Sequence, residues 1–142
     1  MTELLVNIDV DDLERAVAFY TAAFGLTVKR RFGDRGVELG GANAPIFFLA
    51  KPAGSVPAAG AAPRDYRRHW TPVHLDFIVD DIEAAHRRVL AAGARAESEI
   101  ETQGYGRFAQ LADPFGNGLC LIQFVGRGYD EISSLVAQGE GP

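Results

Sequence analysis

The sequence predicts an α+β fold that contains the same β-α-β-β-β unit twice. The first observation is an internal repeat, because Val10–Glu14 (VDDLE) returns as Val79–Glu83 (VDDIE). The second is periodicity: in both copies an apolar strand precedes the Asp-Asp pair and an amphipathic helical segment follows it. The third is a set of shorter strand-like runs after each helix. A duplicated unit therefore accounts for most of the chain.

The first module, residues 1–50, opens with an apolar strand that starts at Leu4. Asp11 and Asp12 can cap the following helix and favour its positive N-terminal end. We expect this helix to end at Gly25, since glycine is the usual residue just beyond a helix. Its apolar stripe contains Leu13, Ala16, Val17 and Tyr20, and the strands after it cover residues 26–32, 35–40 and 45–50.

The second module, residues 71–126, repeats this order from Val73. Its helix ends at Gly93, and the turn Asp113–Gly118 (DPFGNG) joins the last two strands as a hairpin. The apolar stripe of this helix contains Ile82, Ala85, Val89 and Ala92, and its strands cover residues 95–101, 107–112 and 119–125.

Two segments lie outside the modules. The linker, residues 51–70, begins rich in Pro, Ala and Gly, which indicates a flexible crossover. Its end, Arg64–Trp70, carries three arginines, a tyrosine, a histidine and the only tryptophan, which is unusual for a spacer. In the C-terminal tail, residues 127–142, a short helix is predicted from Tyr129 to Gln138 with Ile132, Leu135 and Val136 as its apolar side.

Composition limits the function classes. A chain of 142 residues with 47% hydrophobic content suits one compact domain with a sizeable core. The formal net charge of −5 argues against non-specific nucleic-acid binding. Cys120 is the single cysteine, so no internal disulfide forms. No run of about 18 apolar residues exists to span a membrane, and the N-terminus lacks a basic region, so a cytoplasmic protein is expected.

Strand alternation separates polar from apolar positions in the first strand of each module. His74, Asp76 and Ile78 share one face, and by the repeat Leu5, Asn7 and Asp9 are their equivalents. The other face carries Leu4, Val6, Ile8 and Val10 in one module and Leu75, Phe77 and Val79 in the other, and it suits packing against the helices. Buried polar groups cost free energy unless they are paired, so the polar set either pairs internally and with water or orients a polar ligand.

Three segments carry a family resemblance. Residues 6–26 (VNIDVDDLERAVAFYTAAFGL), 74–94 (HLDFIVDDIEAAHRRVLAAGA) and 112–124 (ADPFGNGLCLIQF) resemble the modules of the vicinal oxygen chelate superfamily, which includes glyoxalase I, extradiol dioxygenases and bleomycin-resistance proteins. The resemblance implies that the two sheets lie side by side as one cup-shaped mixed sheet with the helices on its outer face. It also implies a single glyoxalase-like domain over residues 1–142.

The resemblance also implies where a metal is held in members that use one. His74 and Leu5 occupy the ligand positions of the two first strands, and Cys120 occupies the glutamate position of the last strand. The matching place in the first module falls at Phe47 or Phe48. Since His74 alone cannot hold a divalent ion tightly, we expect no metal cofactor. The alternative is a divalent metal on His74, with Cys120, Asp76 or Asp9 recruited to it.

The function that this pattern favours is small-molecule binding in the cup without a metal, as in the drug-sequestering resistance members. The alternative is a metal-dependent lyase, isomerase or dioxygenase that uses His74 as ligand or general base, and a third reading is a regulatory domain with a vestigial cup. We expect a homodimer from the resemblance. The candidate ligand-binding residues are Asn7, Asp9, Phe47, Phe48, Trp70, His74, Asp76, Arg107 and Cys120, with His74 the candidate catalytic residue.

Overall fold

The computed structural model describes residues 1–134, and its first module has the predicted order of elements. These elements are β1 (Val6–Val10), α1 (Leu13–Phe24), β2 (Thr27–Arg31), β3 (Gly36–Gly40) and β4 (Ile46–Ala50). They form a four-stranded mixed sheet in the order β1-β4-β3-β2. Only the β1/β4 pair is parallel, because α1 carries the chain back across the sheet before the meander of β2, β3 and β4.

The second module repeats this arrangement with one extra strand. Its elements are β5 (Leu75–Ile78), α2 (Ile82–Ala92), β6 (Arg95–Ala96), β7 (Glu101–Gln103), β8 (Gly106–Ala112) and β9 (Gly118–Phe124). The sheet runs β5-β9-β8-β6, and β7 also pairs with β8. Hence β1 and β5 are edge strands of two separate open sheets. Each module therefore consists of one mixed sheet and one α-helix, which confirms the predicted α+β class.

Both helices begin and end where the sequence predicts. Asp12 accepts a hydrogen bond from the Arg15 backbone N–H at 3.0 Å, and Asp81 does the same for Ala84 at 3.1 Å. Gly25 has φ of 68°, a left-handed conformation in which glycine avoids the clash that a Cβ causes.

The helices cover one face of each sheet, and the opposite face is called the cup face below. The core is continuous across the two modules: the Phe24 ring of α1 stacks on the Phe77 ring of β5 with centroids 3.8 Å apart. The hydroxyl of Tyr20, also on α1, donates to a carboxylate oxygen of Asp113 in the β8/β9 turn at 2.6 Å. Both contacts join the first module to the second.

Three details differ from the sequence-based expectation. The run predicted as one strand over 95–101 is divided into β6 and β7, because the backbone N–H groups of both Glu97 and Ser98 bond to the Gln110 carbonyl and break the ladder there. A helix was predicted over residues 129–138, and the structure has one turn of 3₁₀ helix there, Gly128–Glu131. The end of the predicted helix falls in residues 135–142, which lie outside the described part of the chain. The first strand of each module begins two residues later than predicted, at Val6 and Leu75.

Within residues 1–134, no helix combines the length and the apolar character that crossing a bilayer requires.

Candidate functional site

A cavity of about 330 Å³ opens at the seam between the edge strands β1 and β5. Its walls are mainly apolar, and polar side chains from both modules and the linker reach into it. Such a cavity, apolar with a few convergent polar groups, is the usual form of a small-molecule site. The lining residues are Val6, Asn7, Ile8, Asp9, Tyr20, Arg64, Asp65, Tyr66, His69, Thr71, Val73, His74, Leu75, Phe77, Asn117, Gly118 and Leu119.

One side of the cavity is closed by residues 64–70, which we call the strap. At its start, Arg64 Nε lies 2.7 Å from Asp9 Oδ2 on β1, and both side chains are partly buried. Two residues further along the strap, the hydroxyl of Tyr66 donates a hydrogen bond to the Lys51 carbonyl at 2.8 Å. These bonds hold the end of the linker against the first module.

The middle of the strap binds the β8/β9 turn of the second module. The backbone N–H of His69 donates to the Gly116 carbonyl at 2.8 Å, and its ring Nε2 lies 3.1 Å from Asn117 Oδ1. Gly116 has φ of 86°, and a Cβ there would stand 2.3 Å from the Arg67 carbonyl oxygen. The close approach of strap and turn therefore requires glycine.

The end of the strap is fixed by Glu97, between β6 and β7. Arg68 forms an ion pair with this carboxylate, and the Trp70 indole N–H donates to it at 3.1 Å. The Arg68 guanidinium also lies 4.6 Å from the centroid of the Trp70 ring, a cation–π distance. The hydrogen bond from Arg68 is the main cause that lowers the pKa of Glu97, so this carboxylate stays charged near neutral pH.

Beside the cavity, three metal-ligating side chains meet on the cup face of the second module. Asp76 on β5 and Cys120 on β9 are directly paired in the parallel ladder, and His74 precedes β5. His74 Nε2 lies 3.2 Å from Asp76 Oδ1, and one ligand atom from each of the three residues falls within 4.8 Å of the others. We call these residues the cup cluster.

The environment of Cys120 disfavours its thiolate. The residue is only 2% exposed, and burial is the largest cause that raises the pKa of its thiol to about 12. The Asp76 carboxylate adds to this through its charge and its hydrogen bond with the thiol. Without a cation, Cys120 is therefore a neutral thiol and a poor nucleophile.

The side chains of the cup cluster are of types that could hold a divalent cation. Its ligand atoms lie within 4.8 Å of one another, and His74 Nε2 and Asp76 Oδ1 are 3.2 Å apart, whereas tetrahedral zinc ligand atoms lie roughly 3.3–3.8 Å apart. The equivalent positions of the first module, Leu5, Asn7 and Phe47, offer one amide and two apolar side chains. The sequence-based argument counted His74 as the single ligand in place, whereas the ladder register brings Asp76 and Cys120 beside it.

Two predicted ligand-binding residues lie on the wrong face of their sheets. Phe48 is 0% exposed and packs on Tyr20 of α1 with ring centroids 4.7 Å apart. Arg107 points to α2, where its guanidinium lies 2.5 Å from Glu83. Arg107 alternates in phase with the buried residues Ala109 and Leu111, so the strand pleat assigns it to the helix side.

The remaining predicted residues divide between two places. Asn7, Asp9 and His74 line the cavity, and the Trp70 ring meets His74 edge-on with centroids 5.5 Å apart. Phe47 packs instead with Phe32, with ring centroids 6.1 Å apart, and is not part of the cavity lining.

Sequence reasoning missed several residues of the cavity. Tyr20 and Asn117 were assigned to a helix stripe and to a turn, and Arg64 and Tyr66 to the linker. The density of arginine and aromatic residues in 64–70 was the available signal, but a single sequence does not show which surface such a segment covers.

The duplicated βαβββ architecture and its open cup define a member of the vicinal oxygen chelate superfamily. The family model of the glyoxalase-like domain matches residues 5–122, and the chain belongs to that family. It is 33% identical over 138 residues to an uncharacterized protein of Mycobacterium bovis, an alignment that covers 93% of this chain and 91% of that one.

Two further relatives carry functional names. The anthracycline biosynthesis protein DnrV of Streptomyces peucetius is 30% identical over 122 residues, which are 83% of this chain but 40% of DnrV. The fold resembles that of the fosfomycin resistance protein FosX from Listeria monocytogenes complexed with Mn(II) and a sulfate ion. That match has a TM-score of 0.67 at 16% identity and covers 87% of this chain and 90% of FosX.

Proposed function

We propose that this protein binds a small, largely apolar molecule in the seam cavity and that its own side chains suffice for binding. The observation that carries the proposal is the cavity of about 330 Å³, which lies at the lower end of the range for ligand sites. Val6, Ile8 and Leu119 supply apolar wall, against which a flat ring system can pack.

The polar groups indicate a ligand with neutral hydrogen-bonding groups. The cation of Arg64 is already paired with Asp9, so little positive charge is left for an anion. Asn7 and Thr71 supply neutral donors and acceptors. Ring compounds with hydroxyl or carbonyl groups meet both requirements, and the name of the relative DnrV makes an anthracycline a reasonable first probe.

The test is calorimetric titration, in the presence of a chelator, with an anthracycline and a set of aromatic fragments that carry one hydroxyl or carbonyl group. Val73→Trp places a large ring at the cavity mouth, where Val73 is 80% exposed, and Val125→Trp is the matched control at a 52% exposed position outside the lining. We expect binding to weaken about tenfold or more in Val73→Trp only. No binding by any probe, or equal binding by Val73→Trp, would overturn the proposal.

The cup cluster favours a second candidate function, a metal-dependent lyase, isomerase or dioxygenase with His74 at its centre. A bound divalent ion would polarise a substrate oxygen. His74 would hold that ion, and the apolar walls would orient the substrate. Screens for these three reaction types, with and without added metal, test the idea. Turnover that needs metal and disappears in His74→Gln supports it, whereas turnover unaffected by that change contradicts it.

We also propose a homodimer, in which a second copy covers apolar side chains of the cup face. Phe32 is 45% exposed and Ile78 is 65% exposed. A native mass of twice 15.3 kDa is expected, and Ile78→Glu should shift it to the monomer while Leu90→Glu on α2 should not. A wild-type protein found only as monomer would contradict this assembly.

The cytoplasmic location remains a prediction.

A further inference from the structure

A second cavity, of about 440 Å³, opens at the other end of the seam between β1 and β5. It shares Val6, Leu75 and Phe77 with the seam cavity described above. From these shared residues the seam cavity follows β1 to Asp9, whereas the second cavity follows the chain past the end of β5 to Val79. We call the second one the far cavity.

The internal repeat places the far cavity where a second copy of the seam cavity belongs. The offset of 69 residues between the modules relates Val6 to Leu75. The two parallel ladders pair Val6 with Ile46 and Leu75 with Leu119, so Ile46 and Leu119 are equivalent. Ile46 lines the far cavity as Leu119 lines the seam cavity. The duplicated fold therefore forms two related cavities, one at each end of the seam.

The two cavities differ in charge. In the seam cavity Asp9 neutralises Arg64 through an ion pair of 2.7 Å. The repeat puts Ile78 at the place of Asp9 in the far cavity, and there Arg88 of α2 is the cation of the lining. Among residues 1–134, no carboxylate forms an ion pair with Arg88. The far cavity therefore has an uncompensated positive charge at its edge.

One contact orients this guanidinium. Arg88 Nε donates to the Ala23 carbonyl near the end of α1 at 2.9 Å. That bond uses one of five N–H donors, which leaves the four on the Nη atoms for a ligand. Asp76 is the one carboxylate among the described residues of the lining, and it already has partners. It lies 3.2 Å from His74 Nε2 and forms a hydrogen bond with the Cys120 thiol.

We infer that the far cavity binds a small organic carboxylate, with its charged group on Arg88 and its apolar body against Phe24, Leu26 and Phe77. A guanidinium matches a carboxylate through two parallel hydrogen bonds. A phosphate monoester carries about two negative charges, and Asp76 in the same lining opposes the second of them. This inference goes beyond the binding proposed above, because that ligand is neutral and occupies the seam cavity.

The experiment is calorimetric titration of the full-length protein, in the presence of a chelator, with octanoate and 2-naphthoate and with the corresponding uncharged amides. We expect each carboxylate to bind once per chain. The amides should bind about tenfold or more weakly, because a hydrogen bond between two charged groups contributes more than one to a neutral group. Inorganic phosphate should not compete with either carboxylate.

Two pairs of variants locate the site. Arg88→Gln should weaken carboxylate binding about tenfold or more, whereas Arg87→Gln, at an exposed neighbour on α2 outside the lining, should not change it. Ala42→Trp obstructs the far cavity and keeps the guanidinium, so it tests the site even if Arg88→Gln does not fold. Ala58→Trp, at an exposed position of the linker, is its control.

Val73→Trp separates the two proposals, because Val73 lines the seam cavity and not the far cavity. It should weaken binding of the neutral probes and leave carboxylate binding unchanged. Several results would overturn the inference: no binding by either carboxylate, equal affinity for the amides, or competition by phosphate. Unchanged carboxylate binding in Ala42→Trp or in a folded Arg88→Gln, or its loss in Val73→Trp, would overturn it as well.

Discussion

Cys120 and Asp76 occupy paired positions in the β5/β9 ladder, so the charge of the Asp76 carboxylate adds to the effect of burial on the Cys120 thiol. Burial and the carboxylate together raise the pKa of the thiol to about 12. Because the folded-state pKa is raised, the thiol remains protonated throughout the physiological range and reacts slowly with electrophiles.

The first prediction concerns this thiol. In metal-free protein, Asp76→Asn removes the carboxylate charge but leaves the burial, so the pKa of Cys120 should fall part of the way toward its ordinary value. We expect alkylation by iodoacetamide to accelerate roughly three- to tenfold at about pH 8, since one pKa unit changes the thiolate fraction about tenfold. Mass spectrometry measures the rate, and Asp80→Asn is the control. An unchanged rate in Asp76→Asn would show that the carboxylate does not act on the thiol.

Tyr20 joins helix α1 of the first module to the β8/β9 turn of the second. Its hydroxyl is buried against Asp113, and desolvation is the main cause that raises its pKa well above the usual value. The carboxylate also accepts hydrogen bonds from the backbone N–H groups of Phe115 and Asn117 at 2.8 and 2.9 Å and from the Asn117 side-chain amide at 3.0 Å, so Tyr20 is one of four donors to it.

The second prediction follows from that bond. Tyr20→Phe keeps the ring and removes one donor from a buried carboxylate, which should lower the free energy of unfolding by about 1.5–3 kcal/mol. Urea denaturation followed by circular dichroism measures the change. Phe19→Tyr is not an equivalent control, because it adds a buried hydroxyl, so Thr21→Ser, which keeps the hydroxyl at a half-buried position of α1, serves instead. A loss below about 0.5 kcal/mol would mean that the bond contributes little.

At the scale of elements, the β8/β9 turn and the strap form one unit. The turn was predicted from its Asp-Pro-Phe-Gly-Asn-Gly sequence, since these residue types stabilise a hairpin by themselves. Of the strap, Trp70 alone was predicted as a site residue, because the position of the segment depends on hydrogen bonds to residues more than forty positions away, such as His69 to Asn117. Local chemistry determines a turn, whereas a linker takes its path from tertiary contacts.

The third prediction tests that unit. Gly116→Ala should lower the free energy of unfolding by about 3 kcal/mol or more, because the new Cβ would overlap the Arg67 carbonyl as well as strain the backbone. Gly25 also has a positive φ, but no atom lies within 4 Å of the Cβ that an alanine would add there. Gly25→Ala should therefore lower the free energy of unfolding by only about 1–2 kcal/mol. Thermal unfolding compares the two. Equal losses would mean that the strap moves aside freely.

Over the whole molecule, the sequence predicted the duplication, both helices with their caps, and the hairpin of the second module. The two periodicities, 3.6 for helices and 2 for strands, carry that information directly. Strand alternation also grouped His74 with Asp76, and His74 Nε2 lies 3.2 Å from Asp76 Oδ1. The two periodicities did not settle Phe47 against Phe48, where two identical side chains are adjacent, or Arg107, whose face depends on the strand register.

We propose that the two modules fold together as a single domain, because the core is continuous across both of them. The fourth prediction is one cooperative unfolding transition that includes both sheets. Phe77→Ala, which removes the ring stacked on Phe24, should lower the stability of the whole chain by about 2–4 kcal/mol without separating the transition in two. Calorimetry measures this, and two resolved transitions in the wild-type protein would contradict it.

The position of Trp70 has a practical consequence. The only indole of the chain lies under the Arg68 guanidinium and edge-on to His74, at the border between the strap and the cup cluster. Its fluorescence is therefore sensitive to changes on either side of that border. A ligand in the cavity or an ion on His74 should alter the emission without any attached dye, which gives this protein a built-in optical reporter.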